Sequence, residues 1–243
     1  MRQWLKRALN GFFMRTISYR VVHNQLVANS DMESWTSLRE HGYRPRAIVD
    51  VGAAGGKWTS QVLEIFPEAQ FLMVDPLKEN ESALKALAGG HPNVRYWSGA
   101  LGSHAGELDL HVHGNQSSMF TSEWGQGAEV RRVPLRTLDA LAQELGFGEI
   151  DGLKLDVQGA ELEVLAGATE TLRRCKVVQV EVMFRQVYER APLAHDIVRF
   201  FAEQGFRIFD VASTVNRKDR ALLQADLFFV KDDSLFTPEK WEL

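Results

Sequence analysis

The stretch AIVDVGAAGGKWTS, residues 47–60, joins an apolar run and an acid to three glycines within five positions. The apolar run predicts a buried strand, and Gly52, Gly55 and Gly56 allow the chain to turn sharply into a helix that begins near Lys57. The first turn of a helix presents unpaired N–H groups and a partial positive charge, which favour carboxylates and phosphates. The stretch therefore predicts a strand–turn–helix unit with a ligand lying against the turn.

The same alternation of strand and helix recurs along the chain. FLMVDP, LKLDV and VVQVEVMF read as strands, while ENESALKALAGG, AELEVLAGATETLRRC and LAHDIVRFFAEQGF each read as one helix. GELDLHVHG and EVRRVPLRTL predict two strands around a polar loop, and RIFDV and ADLFFVK predict two closing strands with no helix between them. The predicted fold class is α/β: a Rossmann-like, doubly wound, mostly parallel sheet of seven strands with an antiparallel edge hairpin.

Composition agrees with one large folded domain. Of the 243 residues, 45% are hydrophobic and 25% are charged, and the formal net charge of -4 gives no footprint for nonspecific nucleic-acid binding. The one cysteine, Cys175, excludes an internal disulfide, and no paired thiols indicate a zinc or iron–sulfur site. No apolar run reaches the roughly 20 residues that cross a bilayer. These features predict a cytoplasmic protein that does not have nucleic acid as its partner.

The first 22 residues form a basic segment with five Lys or Arg residues and no acid. Its apolar residues recur at near-helical spacing: Leu5, Leu9, Phe12, Phe13 and Ile17. This amphipathic pattern fits a helix that lies on an anionic membrane surface, which would place the protein at the inner membrane surface. It equally fits a helix that packs on its own domain or on a partner. We divide the chain into an N-terminal amphipathic helical segment, residues 1–37, and an α/β domain, residues 38–243.

Acidic residues follow the predicted strands. Asp50, Asp75, Asp156 and Glu181 lie at or near the carboxyl ends of parallel strands, and Asp226 begins a strand predicted to run the other way. Ligands of open α/β sheets collect at the carboxyl ends of the parallel strands. The sequence therefore predicts five carboxylates at one rim of the sheet.

The spacing of these acids favours one cofactor. The Gly-x-Gly-x-x-Gly fingerprint of dinucleotide-binding folds is absent, because Ala54 stands where its second glycine would be. S-adenosylmethionine carries an ammonium as well as a carboxylate, and Asp50 could balance that cation directly or through water. Asp75 comes twenty-five residues later, close to the distance at which an acid after the second strand accepts from both hydroxyls of a ribose.

Several stretches in order resemble the FkbM-type methyltransferases: AIVDVGAAGGKWT, FLMVDP, ALGSHAGELDL, SSMF, TLDAL, GLKLDVQGAELEVLAGA, VVQVEVMF and ADLFFV. The likeness covers roughly residues 38–231, and KLDVQGAE is its most distinctive part. The resemblance implies a class I fold, S-adenosylmethionine as cofactor, and O-methylation of a hydroxyl on a carbohydrate or a polyketide-like natural product. The chain departs from the usual pattern at Ala54, where the family often has Asn, and at Gly55, so neither position offers a polar side chain to the cofactor.

The resemblance also implies the residues that bind the cofactor. It assigns the methionine side to Asp50, Gly52, Ala53 and Gly56, the ribose to Asp75 followed by Pro76, the adenine to Gly99, Ala100 and Leu101, and the sulfonium and methyl to Asp156.

The acceptor side is less defined by the sequence. An alcohol must lose its proton as the new bond forms, and the candidate bases are Asp156, Glu181, His113 and Tyr188. The first two have the best positions in the predicted sheet. Lys154 shares a strand face with Asp156 and could set its charge state, or the two could form a structural ion pair. Ser117, Ser118 and Tyr188 are predicted to bind the acceptor, although the two serines could instead only shape their loop.

Other readings remain open at this level. His111 and His113 share a strand face but lack the further ligands of a metal site, so no metal is predicted there. The alternative that stays open is a hard divalent cation held by Asp156, Glu181 and Asp226. A nucleotide- or NAD(P)-dependent Rossmann enzyme is one alternative function, weakened by the missing glycine fingerprint. A noncatalytic module that meets a membrane or a partner through its basic N-terminal segment is another.

Overall fold

The computed structural model describes residues 30–122 and 127–231, together with two short strands before them, β1 (Val21–Val22) and β2 (Gln25–Leu26), which pair antiparallel. The predicted basic amphipathic segment therefore lies almost entirely outside the described residues. Among the helices of the described ranges, none is both long enough and apolar enough to cross a bilayer.

The described chain alternates strands and helices as predicted. Its further strands are β3 (Ala47–Val51), β4 (Gln70–Asp75), β5 (Val94–Ser98), β6 (Ala100–Leu101), β7 (Gly106–Val112), β8 (Glu129–Arg136), β9 (Gly152–Leu155), β10 (Val177–Met183), β11 (Phe206–Asn216) and β12 (Leu222–Lys231). Its helices are α1 (Asp31–Glu40), α2 (Lys57–Ile65), α3 (Lys78–Gly90), α4 (Leu138–Glu144), α5 (Glu161–Ala166), α6 (Thr169–Arg174) and α7 (Ala194–Glu203).

Seven strands form the central sheet in the order β11-β12-β10-β9-β3-β4-β5. Neighbours from β10 through β5 are parallel, whereas β12 runs antiparallel to both β10 and β11. The strands β3 and β9 are buried at every position, as expected of parallel strands covered on both faces. The predicted seven-stranded sheet with a closing antiparallel hairpin is confirmed. The second strand of that hairpin, β12, pairs with β10, and the first, β11, forms the edge of the sheet.

A smaller sheet forms from the predicted antiparallel excursion. Its order is β6-β8-β7, with β7 antiparallel and β6 parallel to β8. The polar stretch after β7 folds back on itself, and the bridge between His111 and Ser118 fixes the return. This polar loop, residues 113–119, therefore lies beside the carboxyl ends of the main parallel strands, where it reaches the candidate site described below.

Two helical features differ from the predictions. The single helix expected from AELEVLAGATETLRRC is two short helices, α5 and α6, separated at Gly167. The chain passes so close to another loop there that a Cβ on Gly167 would lie 2.1 Å from the carbonyl oxygen of Gly102. The helix α4, which the sequence did not predict, begins after Thr137, whose hydroxyl accepts from the backbone N–H of Ala140.

The packed domain begins earlier than the predicted boundary at residue 38, which falls inside α1. Trp35 and Leu38 of this helix have no exposed surface. Trp35 packs edge to face against Trp58 and Phe228, with ring centroids 5.6 Å apart in each pair, and its indole N–H donates to Gln179 at 2.6 Å. Helix α1 is therefore part of the core on one face of the sheet, while α4 to α7 cover the other face.

Candidate active site at the carboxyl ends of the strands

A cavity of about 320 Å³ opens at the carboxyl ends of β3, β4, β9 and β10, beside the polar loop of residues 113–119. Three acids line it: Asp75, Asp156 and Glu181. The neutral polar side chains of the wall are Asn80, Asn115, Gln116, Ser117, Ser118, Gln158 and Gln224. Of the five carboxylates predicted at this rim, Asp50 and Asp226 are therefore the two that do not reach the cavity surface.

The glycine turn brings two strand ends together. Gly52 has a φ of 81°, and a Cβ built on it would lie 1.9 Å from the backbone oxygen of Asp156. Gly52 is required by this close approach of β3 to β9, whereas the sequence had suggested only a ligand as the close neighbour. Gly56, with a φ of 77°, faces Leu84 and Leu87 and lies behind the cavity wall.

The backbone N–H groups of the turn mostly serve the protein itself. The amides of Gly52 and Ala53 both donate to the carbonyl of Val74, and that of Gly56 donates to the carbonyl of Ala53. Ala54, which adopts a left-handed φ of 47°, donates its amide to Asp75. The turn is therefore built as a rigid platform against the end of β4.

Lys154 is the buried cation of the site. Its Nζ forms ion pairs with Oδ1 of Asp50 at 3.2 Å and with Oδ2 of Asp156 at 3.4 Å, and the first of these lacks hydrogen-bond geometry. The same Nζ donates a hydrogen bond to the carbonyl of Gly52 at 3.1 Å. Burial alone would lower the pKa of Lys154, but the charges of Asp50 and Asp156 raise that pKa above its ordinary value. The structure thus shows the ion pair that the sequence left as one of two readings.

Asp50 has no exposed surface, and the hydroxyl of Thr59 donates to its second oxygen at 2.7 Å. It is placed behind the cavity wall and holds Lys154, which in turn fixes the strand ends through Gly52 and Asp156.

Asp75 forms part of the cavity wall at the end of β4. Its Oδ2 accepts from the amide of Ala54 at 2.8 Å, and its Oδ1 accepts from the amide of Leu77 at 2.9 Å and from Nδ2 of Asn80 at 3.0 Å. Burial raises the pKa of Asp75, although these three donors oppose the shift. Four other predicted cofactor residues line the wall beside it: Pro76, Gly99, Ala100 and Leu101.

The DVQGAE motif, residues 156–161, joins two of the acids through an amide. Nε2 of Gln158 donates to Oδ1 of Asp156 and to Oε2 of Glu181, each at 2.8 Å, while Nε2 of Gln224 donates to Oε1 of Glu181 at 2.5 Å. Burial, followed by the charges of Asp156 and Asp226, raises the pKa of Glu181 to about 9. Burial and the charge of Asp156 raise the pKa of Asp226 to about 6.

The polar loop and Tyr188 connect to the same motif. The hydroxyl of Tyr188 donates to Oε1 of Gln158 at 2.7 Å and lies 3.3 Å from the carbonyl oxygen of Gln116. Ser118 donates its hydroxyl to the backbone oxygen of Gln158 at 2.7 Å. Ser117 and Ser118 line the cavity, and the hydroxyl of Ser117 donates to the carbonyl of Gly114 within the loop. Tyr188 is buried behind Gln158 and does not line the cavity.

Sequence reasoning missed Asn80, Gln158 and Gln224 as members of the site. For Gln158 a signal existed, because it stands inside the distinctive DVQGAE stretch. For Gln224 no local signal existed, because it reaches Glu181 only through the pairing of β12 with β10. In the described ranges, no three His, Cys, Asp or Glu side chains are arranged so that they could hold a metal ion.

Comparisons with known proteins match the chain to a methyltransferase family. A family model described as the methyltransferase FkbM domain matches residues 50–208. The 2-O-methyltransferase NoeI of Sinorhizobium fredii is 26% identical over 208 residues, which cover 78% of this chain and 79% of NoeI. The antimetabolite synthetase AmbE of Pseudomonas aeruginosa is 35% identical over 82 residues, which cover 33% of this chain and 4% of AmbE.

Solved methyltransferase structures are similar at lower identity. The precorrin-6y C5,15-methyltransferase of Geobacter metallireducens gives a TM-score of 0.48 at 11% identity, with 85% of this chain and 94% of the other covered. The fibrillarin of Aeropyrum pernix gives a TM-score of 0.46 at 15% identity, with 81% and 76% covered. The family match, which spans more than half of the chain, confirms the prediction of a methyltransferase whose cofactor is S-adenosylmethionine. The chain belongs to the FkbM family of methyltransferases.

Proposed function

We propose that the protein transfers a methyl group from S-adenosylmethionine to a hydroxyl group of an uncharged acceptor, a carbohydrate or a polyketide-like natural product. The observation that carries this proposal is the composition of the cavity wall, where three carboxylates meet amide and hydroxyl side chains and where no Lys, Arg or His of the described ranges takes part. Such a wall suits a cationic cofactor beside a neutral acceptor. The printed name of NoeI, a 2-O-methyltransferase, supports transfer to oxygen.

The residues of the wall fit the cofactor by their chemistry. Three protein donors already hold the two oxygens of Asp75, which fixes the carboxylate and leaves a lone pair on Oδ2 to accept from a ribose hydroxyl. Gly99 and Ala100 add little side-chain bulk to the wall, and Leu101 and Pro76 make it apolar, which together suit a flat adenine ring. We assign the methionine side to the turn that begins at Gly52.

The remaining predicted cofactor residues support that turn from behind. Ala53 and Gly56 do not line the cavity, and Asp50 acts through Lys154. We therefore assign these three residues to shaping the cofactor site and not to direct contact with the cofactor.

When bound, S-adenosylmethionine supplies a methyl group that is already strongly electrophilic. The side chains of this protein then have to align the acceptor oxygen, exclude water and take up the hydroxyl proton. Glu181 is the base that the geometry favours, because it lines the cavity, amides hold both of its oxygens, and its environment makes it more basic. Asp156 lies beside it, and Lys154 holds Asp156 in place.

The acceptor class follows from charge. Asn115, Gln116, Ser117 and Ser118 line the part of the cavity contributed by the polar loop. The amides of Asn115 and Gln116 can donate to and accept from hydroxyl groups, whereas the hydroxyls of Ser117 and Ser118, which already donate to Gly114 and Gln158, can only accept. A phosphate or carboxylate on the acceptor would bring a further negative charge close to Asp156 and Glu181. Repulsion between like charges in a partly buried site disfavours such acceptors.

The test is an assay of the purified chain with S-adenosylmethionine and matched acceptors: neutral glycosides, their phosphorylated or uronic acid counterparts, and amino sugars. We expect a mass gain of about 14 Da, the CH₂ added when methyl replaces hydrogen, on a hydroxyl of a neutral acceptor. Gain on nitrogen, or on anionic acceptors alone, would contradict the proposal, as would calorimetry that shows no binding of S-adenosylhomocysteine.

Two variants separate cofactor binding from chemistry. Asp75→Ala is expected to weaken the binding of S-adenosylhomocysteine at least about tenfold, because a hydrogen bond from a ribose hydroxyl to a carboxylate is lost. Asp156→Asn is expected to keep binding within about threefold and to lower the rate of methyl transfer. Equal losses of affinity in the two variants would overturn this division of roles.

A further inference from the structure

The backbone of Gln158 adopts a conformation that side chains rarely take. Its φ is 55°, in the left-handed region, and the next residue, Gly159, has a φ of 98°. A Cβ on Gly159 would lie 2.7 Å from the Cβ of Ala191, so the chain has little freedom to relax here. A nonglycine residue held in this region persists only where its contacts determine the conformation, and such positions cluster at functional sites.

The side chain of Gln158 uses all of its polar groups. Both protons of Nε2 are directed at carboxylates, one at Asp156 and one at Glu181, and Oε1 accepts from the hydroxyl of Tyr188. Rotation of the amide by half a turn would point Oε1 at the two carboxylates and Nε2 at Tyr188. The two acids therefore fix the orientation of the amide, and the amide in turn fixes the spacing of the two acids.

The same residue is attached to the polar loop of residues 113–119. Its backbone oxygen accepts from Ser118, and Tyr188, which donates to its side chain, lies within hydrogen-bond distance of the carbonyl of Gln116. Gln116 and Ser118 line the cavity. A shift of the loop would therefore move Gln158, and through it the acids that we assign to the reacting end of the site.

We propose that Gln158 is a positioning residue, whose amide sets the Asp156 and Glu181 carboxylates relative to each other and ties that pair to the loop that binds the acceptor. The proposal rests on the proposed function, since it gives the two acids their task. It assigns Gln158 no contact with the reacting atoms. Its effect passes through Glu181, which receives one of the two amide protons.

The test compares Gln158→Met, which keeps the length of the side chain but removes both donors, with Gln186→Met as the matched control. Gln186 donates to the backbone oxygens of Tyr188 and Ala191 from the same segment but touches neither carboxylate. We expect Gln158→Met to bind S-adenosylhomocysteine within about threefold of wild type and to lower kcat at least about tenfold. The control is expected to change kcat less than about twofold.

A pH profile distinguishes positioning from simple packing. Loss of a donor that stabilises the ionised form of Glu181 raises the pKa of Glu181, so the acid limb of the kcat profile should move to higher pH in Gln158→Met. Tyr188→Phe keeps the ring and removes the hydroxyl that orients the amide, and it should shift the limb in the same direction by a smaller amount. Adding Tyr188→Phe to Gln158→Met should cause no further loss, because both act through one amide.

Binding gives a readout that does not depend on turnover. Glu181 is expected to release a proton to solvent when S-adenosylmethionine binds. The pH at which half of the Glu181 carboxyl groups have lost this proton should be higher in Gln158→Met than in wild type. If the wild type is active while Gln158→Met keeps its kcat, its pH profile and its proton exchange, the positioning role is wrong and the proposed function stands. If no acceptor is methylated by wild type, the proposed function fails, and the proton exchange in the variant still decides whether Gln158 controls the two acids.

Discussion

Binding of S-adenosylmethionine is expected to release most of one proton near pH 7.5. The source is Glu181, whose pKa of about 9 results from burial and from the charges of Asp156 and Asp226. At pH 7.5 a carboxyl group with that pKa is about 97% protonated. The sulfonium of the cofactor adds a positive charge to a cavity lined by three acids, and a positive charge stabilises the ionised form of a nearby carboxyl group.

The sulfonium charge is large enough to lower the pKa of Glu181 by about two units. Lowering the pKa of Glu181 from about 9 to about 7 requires about 2.7 kcal/mol. Two unit charges interact by about that amount at a separation of about 6 Å and an effective dielectric constant of about 20. A carboxyl group with a pKa of about 7 is about 24% protonated at pH 7.5, so about 0.7 of a proton should leave.

Calorimetric titration in buffers of different ionisation enthalpy measures this proton directly. S-adenosylhomocysteine is the matched ligand, because it has the same nucleoside and the same amino-acid tail but a neutral sulfur. We expect release of about 0.7 proton with S-adenosylmethionine and markedly less with S-adenosylhomocysteine. In Glu181→Gln the difference between the two ligands should vanish. Equal proton counts for both ligands in wild type would contradict this prediction, as would a difference that survives in Glu181→Gln.

Two further predictions concern stability. Gly52→Ala should lower the free energy of unfolding by at least about 3 kcal/mol, because the new Cβ would overlap a carbonyl oxygen and the residue would have to keep a φ of 81°. The control is Gly55→Ala, which has open space around its Cβ and should change the free energy of unfolding by less than about 1 kcal/mol. Similar losses for the two variants in urea unfolding would contradict this prediction. Burial raises the pKa of Glu161 from 4.5 to about 7, so the folded state holds its proton more tightly and the contribution of Glu161 to stability falls as the pH rises through that window. Glu161→Gln should therefore gain about 3 kcal/mol relative to wild type between pH 4.5 and pH 8, and a gain independent of pH would refute the assignment.

Much of the fold was readable from local patterns. The apolar runs that became β3, β4, β9 and β10 are nearly continuous, because parallel strands are covered on both faces, and this pattern needs no knowledge of distant residues. Local sequence patterns did not predict the helix break at Gly167 or the burial of Trp35. Each depends on a contact with a segment far away in the sequence, the loop at Gly102 in one case and the side chain of Gln179 in the other.

The positions of the acids at the ends of strands could be predicted from the sequence, because the strand pattern and the acid are neighbours along the chain. The surroundings of each acid depend on how the distant segments pack: Asp75, Asp156 and Glu181 line the cavity, whereas Asp50 is buried against Lys154. The order of the strands puts β10 beside β9 and β12 beside β10, so that amides from two separate segments meet Glu181. The direction of a side chain and the identity of its neighbours depend on this long-range pairing, which no local pattern encodes.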